Sequence, residues 1–304
     1  KPEIYKAFEK ELTSVAGVEE IDIQWGLHGH APAAAPLKPK SNIKHIVLIA
    51  SGKGGVGKST IAANIAVSIA RKGYQTGLMD ADIYGPSIPT IMGITDTANV
   101  GDNQIKPHEA HGVKVISIGF FVPEEQAVIW RGPMLHGALT QFINDVSWGD
   151  LDYLIVDLPP GTGDIQLTLS QIAPIAGCVI VTTPQVVSLK DVAKAFGMCN
   201  NPQIKTPVLG IVENMTGDIF GRGGGKAFAE AHDTELLGTI PLDARVVNCS
   251  DSGIPVVVQH PGSDVAGSYN ELAEKVINYA RDNVAQGKAS TPVKMTQSDG
   301  CGGH

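Results

Sequence analysis

The sequence predicts an α/β fold built on a doubly wound, mostly parallel sheet, and three observations lead to this prediction. Apolar runs without polar alternation recur from Ile43 onward, as expected for strands that are buried on both faces. Segments with helical periodicity separate these runs, which is typical of parallel sheets covered by helices. A glycine-rich turn follows the first run. Because ligands of such sheets bind at the carboxyl ends of the strands, we expect the loops at those ends to carry the chemistry.

Strands and helices are predicted in alternation along the chain. The strands are the apolar runs IKHIVLIA, QTGLMDAD, VKVISIG, DYLIVD, CVIVTT, PVLGIVEN and LLGTIP. The helices are expected near 58–72, 135–146, 166–172, 189–198, 226–231 and 265–282. The long uncharged run between Asp164 and Lys190 contains Pro174 and Pro184, so it predicts a buried helix followed by a buried strand rather than a membrane span.

Length and charge limit the class of protein. The 304 residues allow two domains, or one large domain with an appendage, and 43% hydrophobic content is typical of a globular chain. The formal net charge of −8 argues against a nucleic-acid partner, because such binding requires a basic surface. The four cysteines lie far apart and form no CxxC pair, which predicts a reducing, cytoplasmic location.

The pattern divides the chain into four segments. Residues 1–25 predict one amphipathic helix and one short strand, too little to fold alone. Residues 26–42 are rich in Ala, Pro and Gly and are expected to form a linker. Residues 43–286 carry the alternating strands and helices, and residues 287–304 predict a flexible tail.

The strongest motif is GKGGVGKST, which satisfies the pattern G-x-x-x-x-G-K-[ST] between a predicted strand and a predicted helix. Its glycines let the backbone curl so that successive N–H groups and the helix N-terminus face a phosphate chain. Lys58 would contact the β and γ phosphates, and the Ser59 hydroxyl would coordinate Mg²⁺. The residues expected to bind the nucleotide through this loop are Gly52, Lys53, Gly54, Gly55, Val56, Gly57, Lys58, Ser59 and Thr60.

Three carboxylates follow predicted strands. Asp80 and Asp82 come at the end of the second strand, where one could reach the water shell of Mg²⁺ and the other a nucleophilic water. Turn formation or helix capping is an equal alternative for both residues. Asp157 closes the strand DYLIVD, a Walker B placement in which a carboxylate helps to hold Mg²⁺. Gly161 and Gly163 would let the following loop shift when the γ phosphate leaves.

The second lysine of the loop, Lys53, gives the variant K-G-G-x-x-K-[ST], which resembles the deviant Walker A ATPases such as MinD, ParA, the nitrogenase iron protein and Mrp. In that group this lysine reaches the nucleotide of the facing subunit, so the resemblance implies a homodimer that sandwiches two ATP molecules; a solvated lysine is the alternative. The resemblance also implies that Lys53, Lys58 and Asp82 are catalytic. It implies that Asn214, which is otherwise a turn residue, contacts the adenine.

Four longer segments resemble one family within this group. DADIYGPSIPTIMG, IWRGPMLHGALTQF, DYLIVDLPPGTGD and VENMTGDIFGRGGG are similar to the Mrp/ApbC family of iron–sulfur cluster carrier ATPases, and the match covers about Ile43 to Asp282. Residues 1–25 resemble the end of the MIP18-like domain often fused in front of this ATPase. The resemblance implies a P-loop NTPase of the deviant Walker A type. It would hydrolyse ATP with Mg²⁺ as a cytoplasmic homodimer and pass a [4Fe–4S] cluster to apo iron–sulfur proteins.

One departure from the family pattern concerns the cluster. Carrier members usually place a CxxC between the ENM and IFG segments, whereas here Met215 runs through TGD directly into Ile219. Thiolates are the usual ligands of iron–sulfur clusters, so the ligands here are unknown. Cys301 in the DGCGG tail is a candidate for one ligand per subunit.

The roles of the other cysteines and the function of the ATPase each leave alternatives open. Cys178 and Cys199 are expected to pack in the core, and Cys249 has no assigned role. A regulatory ATPase that binds partners without a cluster, and a positioning ATPase of the MinD or ParA type, are the alternative functions. The tail after Asp282 offers no apolar helix face, so a membrane partner is not expected.

Overall fold

The computed structural model describes residues 41–101, 104–121, 132–161, 163–202 and 204–292. The N-terminal segment predicted over 1–25, the linker up to residue 40 and Cys301 lie outside the described residues.

The described residues form strands and helices in close alternation. The strands are β1 (Asn42–Ser51), β2 (Thr76–Asp80), β3 (Asn99–Gly101), β4 (Gln104–Lys106), β5 (His108–Ala110), β6 (Val113–Ser117), β7 (Asp150–Asp157), β8 (Gly177–Thr182), β9 (Val208–Thr216) and β10 (Leu236–Pro241). The helices are α1 (Lys58–Arg71), α2 (Ile88–Met92), α3 (Gly132–Asn144), α4 (Gly163–Ile172), α5 (Val186–Cys199), α6 (Gly224–Ala231), α7 (Ala244–Asp251), α8 (Val256–Gln259) and α9 (Asp264–Ala285). A short 3₁₀ turn follows β6 over Ile118–Phe121.

One sheet organises the fold, with the strand order β10-β9-β8-β1-β7-β2-β6-β5. All neighbours in it pair in parallel except β5, which runs antiparallel to β6 at the edge. The chain moves from β1 toward β2 and β6 in one direction, and from β7 toward β8, β9 and β10 in the other. Because parallel crossovers are right-handed, helices cover both faces. The predicted doubly wound, mostly parallel sheet is confirmed.

The central strands are apolar because they are covered on both faces. Val47, Leu48 and Ile49 of β1 are fully buried, and so are Ile61 and Ile65 of α1. The uncharged run after Asp164 forms α4 and then β8, as predicted. Among the described helices, none is both long and apolar enough to cross a membrane.

The short elements were not predicted from the sequence. They are the β3–β4 hairpin, β5, α2, α7 and α8. Apart from α7, these elements have at most five residues, too few to display a helical or strand period, so tertiary contacts fix them. The Val257 amide of α8, for example, donates to Asn64 Oδ1 of α1 at 3.3 Å.

Ser290, inside the segment predicted to be a flexible tail, contacts the rest of the fold. Ser290 is buried, its amide donates to Ile175 O at 2.9 Å, and its hydroxyl accepts from the Ile175 amide at 2.8 Å. These two hydrogen bonds fix the chain beyond α9 against the segment that enters β8. The polar composition of this segment suggested flexibility. Its partner Ile175 lies 115 residues away, so the contact could not be predicted from the local sequence.

Candidate functional site

The glycine-rich loop connects β1 to α1 at the carboxyl edge of the sheet. β1 lies between β7 and β8, where the crossovers change direction, and this is the usual ligand position in such folds. Gly57 is the N-cap of α1 with φ of 81°, and no side chain caps the first turn. The first N–H groups of α1 are therefore available to a phosphate.

Two positions of the loop accept only glycine, because neighbouring atoms occupy the space that a Cβ atom would need. A Cβ on Gly52 would lie 2.2 Å from the backbone carbonyl carbon of Asp191, which belongs to α5. A Cβ on Gly57 would lie 2.4 Å from the Asn214 side-chain nitrogen. The loop is thus held between α5 on one side and the end of β9 on the other.

We expect Gly52→Ala to lower the free energy of unfolding by at least about 2 kcal/mol, because its methyl group meets backbone atoms that cannot rotate away. Gly54→Ala is the matched control, since the nearest atom to its Cβ is Pro160 Cγ at 3.9 Å. The control is expected to stay within about 0.5 kcal/mol of wild type. Urea unfolding measures both, and equal stability of the two variants would contradict the close packing.

Lys58 is buried at the centre of the predicted site. Its ammonium nitrogen lies 2.6 Å from Asp157 Oδ1 and 3.5 Å from Asp82 Oδ2. The Ser59 hydroxyl is 3.5 Å from the same nitrogen. The structure therefore brings together the P-loop lysine, the Walker B carboxylate and the carboxylate expected to orient water.

Asp80 ends β2 directly opposite Asp157 in the parallel register. Its buried carboxylate accepts hydrogen bonds from the amides of Asp82 and Ile88 and from the Ser117 hydroxyl. Burial and the neighbouring Asp157 carboxylate raise the pKa of Asp80 to about 8. Asp80 makes the turn and capping contacts that the sequence left open, and it is also one of the residues predicted to hold Mg²⁺. Sequence reasoning missed Ser117, although it ends β6 at the same edge of the sheet.

The residues predicted to hold Mg²⁺ offer the oxygen donors that this ion prefers. Asp157 Oδ2 is buried and has no hydrogen-bond partner in the described residues, which leaves one carboxylate oxygen available. The described residues contain no cluster of three or more His, Cys, Asp or Glu that could hold a metal by themselves. Mg²⁺ at Ser59, Asp80 and Asp157 would therefore need phosphate and water oxygens, as is usual for nucleotide-bound magnesium.

A cavity of about 190 Å³ opens beside the P-loop. Gly57 and Thr60 line it from the loop, Asn214 from the end of β9, and residues 240–243 from the end of β10. The Asn214 side-chain nitrogen donates to Val56 O at 2.8 Å, so the predicted adenine contact is joined to the P-loop. Sequence reasoning missed residues 240–243, although they form the end of the predicted strand LLGTIP and the two positions after it.

Lys53 lies on the same loop but apart from the carboxylate cluster. Its side chain is partly exposed, and the described residues supply no hydrogen bond or ion pair to its ammonium group. Gly161 lies next to the P-loop, because its amide donates to Ser51 O at 3.1 Å. Its φ is 69°, a conformation that favours glycine. The loop shift predicted at Gly161 and Gly163 stays a prediction.

The segment between the ENM and IFG motifs is a tight turn. Gly217 and Gly221 exchange backbone hydrogen bonds, and Ile219 at its tip is 78% exposed. The described cysteines Cys178, Cys199 and Cys249 are at most 1% exposed, which confirms core packing for the first two. No described cysteine therefore presents an exposed thiol to a cluster.

The chain is similar to known proteins in sequence and fold. Residues 42–277 match the family model described as ParA: NUBPL iron-transfer P-loop NTPase. The iron–sulfur cluster carrier protein of Deinococcus radiodurans is 48% identical over 275 residues, 86% of this chain and 76% of the relative. A nucleotide-binding protein from Archaeoglobus fulgidus, in complex with ADP, is 38% identical with a TM-score of 0.63, covering 75% of this chain and 92% of that chain.

A more distant ATPase has a similar fold. The cell division ATPase MinD of Pyrococcus furiosus has a TM-score of 0.61 at 24% identity, over 77% of this chain and 98% of that chain. The P-loop geometry, the sheet order and the family match agree with one another. The chain belongs to the ParA-type family of iron-transfer P-loop NTPases.

Proposed function

We propose that this protein is an ATP-dependent iron–sulfur cluster carrier that acts as a nucleotide-switched homodimer. The observation that carries the nucleotide part is the buried Lys58 ammonium, 2.6 Å from Asp157 at the start of a helix whose first turn has no side-chain cap. The carrier part is supported by the name of the Deinococcus radiodurans relative, an iron–sulfur cluster carrier protein. Location in the cytoplasm stays a prediction from cysteine content.

ATP binding would change the partners of Lys58. The β and γ phosphates would take its ammonium group and so release the Asp157 carboxylate toward a cation. Ser59, Asp80 and Asp157 would hold Mg²⁺, which neutralises charge on the phosphate oxygens when bound. Asp82, 3.5 Å from Lys58, is positioned to orient the attacking water.

The homodimer would complete the site. The ammonium of Lys53 on the P-loop has no partner among the described residues, which supports its delivery to the nucleotide of a facing subunit. A cation supplied across an interface stabilises the charge that develops during phosphoryl transfer, as an arginine finger does. Hydrolysis would then remove this contact and return the dimer to a state that releases its cargo to an apo iron–sulfur protein.

A second candidate is a regulatory ATPase that binds partners without a cluster. It is favoured by the tight turn that takes the place of the cysteine-containing segment, and by the burial of Cys178, Cys199 and Cys249. Both candidates share every nucleotide residue, so only the cluster separates them.

Anaerobic reconstitution of the full chain with iron and sulfide is the experiment that separates these functions. For the carrier we expect about four irons per dimer with the visible absorption of a [4Fe–4S] cluster. Cys301→Ser should lose the cluster, whereas the control Cys249→Ser should keep it. A wild-type protein that holds no cluster would overturn the carrier proposal and favour the regulatory ATPase.

A further inference from the structure

Three neighbouring strands of the sheet end in a row of polar residues. Ser117 at the end of β6 lies in register with Asp80 of β2, and Asp80 lies in register with Asp157 of β7. Residues in register on adjacent parallel strands point to the same side of the sheet. All three side chains are completely buried. The row therefore places a serine hydroxyl beside two of the residues predicted to hold Mg²⁺.

The hydroxyl group of Ser117 donates its proton to Asp80. Its oxygen accepts a hydrogen bond from the Gly119 amide at 3.0 Å, and a hydroxyl has a single proton to donate. The acceptor of that proton is Asp80 Oδ2, at 2.9 Å. Every described hydrogen-bond partner of Asp80 is a donor, which fits a carboxylate whose two oxygens both accept.

Asp80 relies on these hydrogen bonds because no cation pairs with it in the described part of the chain. The Lys58 ammonium pairs with Asp157 and Asp82 instead. A buried carboxylate without a cation needs hydrogen bonds to offset the loss of water. Two of the donors to Asp80 are backbone amides, and the third is the Ser117 hydroxyl.

The hydrogen bonds of Asp80 use its two oxygens unequally. Oδ2 accepts from the Ser117 hydroxyl at 2.9 Å and from the Ile88 amide at 3.3 Å, which fills both of its acceptor positions. Among the described residues Oδ1 accepts only from the Asp82 amide, at 3.0 Å, so one acceptor position remains on this oxygen. Because the Ile88 contact is the longer one, the Ser117 hydroxyl is the main restraint on Oδ2.

Close packing holds the Ser117 hydroxyl in place. A Cβ on Gly119 would lie 3.0 Å from two side-chain carbons of Pro86 and 3.2 Å from Ser117 Oγ. Pro86 belongs to the segment between Asp82 and α2. The end of β6 therefore packs directly against the segment that follows the carboxylate expected to orient water.

We propose that Ser117 is a positioning residue whose hydroxyl fixes the Asp80 carboxylate, so that Oδ1 is presented to Mg²⁺ or to a water of its hydration shell. This inference rests on the proposed nucleotide-binding function. It adds to that site a residue of β6, a strand that carries none of the nucleotide-binding motifs.

The test measures how much Mg²⁺ strengthens the binding of a non-hydrolysable ATP analogue to the full chain, by calorimetry in Mg²⁺ and in EDTA. Loss of a hydrogen bond to a metal-binding group typically lowers metal affinity about 10- to 100-fold. Ser117→Ala should therefore lose about 10-fold of the gain from Mg²⁺, whereas its affinity in EDTA should match wild type. A role limited to stability would not change the gain from Mg²⁺ in the folded variant.

Two further variants serve as controls. Ser170→Ala also removes a buried hydroxyl, but this one donates to Leu167 O within α4, so the variant should show the wild-type gain from Mg²⁺. Ser117→Thr keeps a hydroxyl group at the same position and should retain most of the gain.

A double-mutant cycle tests whether Ser117 acts through Asp80. Asp80→Asn should itself reduce the gain from Mg²⁺. In that background Ser117→Ala should reduce the gain no further, because the group that it positions is already changed. Additive effects of the two substitutions would contradict a positioning role.

Two other outcomes would overturn the inference: an equal gain from Mg²⁺ in Ser117→Ala and wild type, and no gain in wild type. If Ser117→Ala does not fold, Ser117→Cys replaces it, because a thiol fills the space but donates only a weak hydrogen bond. A wild-type gain in that variant overturns the inference in the same way. If wild type does not bind the analogue in either buffer, the proposed function itself fails, which is a separate result.

Discussion

A Lys58→Met variant is expected to hydrolyse ATP at least about 100-fold more slowly than wild type, because the cation beside the transferred phosphoryl group is removed. In the folded protein the Lys58 ammonium is also the counter-charge of Asp157, at 2.6 Å. Removing it leaves a buried carboxylate unpaired, which typically costs about 3–5 kcal/mol. Steady-state phosphate release measures the rate, and urea unfolding measures the stability.

A second substitution separates these two effects. Lys58→Met with Asp157→Asn removes the nearer of the two carboxylates that pair with the lysine and leaves only Asp82, at 3.5 Å, without its cation, so it should regain part of the lost stability while remaining inactive. Lys72→Met is the surface control: Lys72 pairs with Glu274 in an exposed ion pair, which is worth at most about 1 kcal/mol. Wild-type turnover in the Lys58→Met variant would contradict the assignment of this lysine.

A Lys53→Ala variant is expected to separate ATP binding from hydrolysis. Within one subunit the Lys53 ammonium has no ion pair among the described residues, so stability and monomeric ATP affinity should be close to wild type. Hydrolysis should fall by about 10³-fold, the lower range for a cation delivered across an interface. Light scattering with ATP should show the loss of the dimer that wild type forms.

The control for Lys53 is Lys194→Ala. Lys194 forms an exposed ion pair with Asp191, whose backbone packs against the P-loop. The substitution therefore removes a lysine near the P-loop but leaves the predicted contact of Lys53 with the facing subunit unchanged. This control should dimerise and hydrolyse ATP like wild type. If Lys53→Ala hydrolyses ATP at the wild-type rate, the sandwich dimer is wrong.

Local patterns determined the fold class and the centre of the site. The apolar runs, the glycine loop and the following helix are adjacent in the sequence, so the strand–loop–helix unit could be predicted without any tertiary contact. For the same reason Lys58 and Ser59 were predicted as functional residues from the motif alone. The parallel sheet then placed Asp157 at the same edge, because strand ends in such a sheet meet there.

Contacts between residues far apart in the sequence decided the side-chain pairings and the short elements. The pairing of Lys58 with Asp157 spans 99 positions, and the hydrogen bond from Ser117 to Asp80 spans 37. Tyr269 reaches the cavity only because α9 packs against α1. Short elements such as α8 show no period in the sequence, and no motif marks the contact of Ser290 with Ile175. The sequence alone determined the long strands and the P-loop, whereas the tertiary structure decided the short elements and which side chains meet, since strand order and helix packing depend on contacts that no local pattern contains.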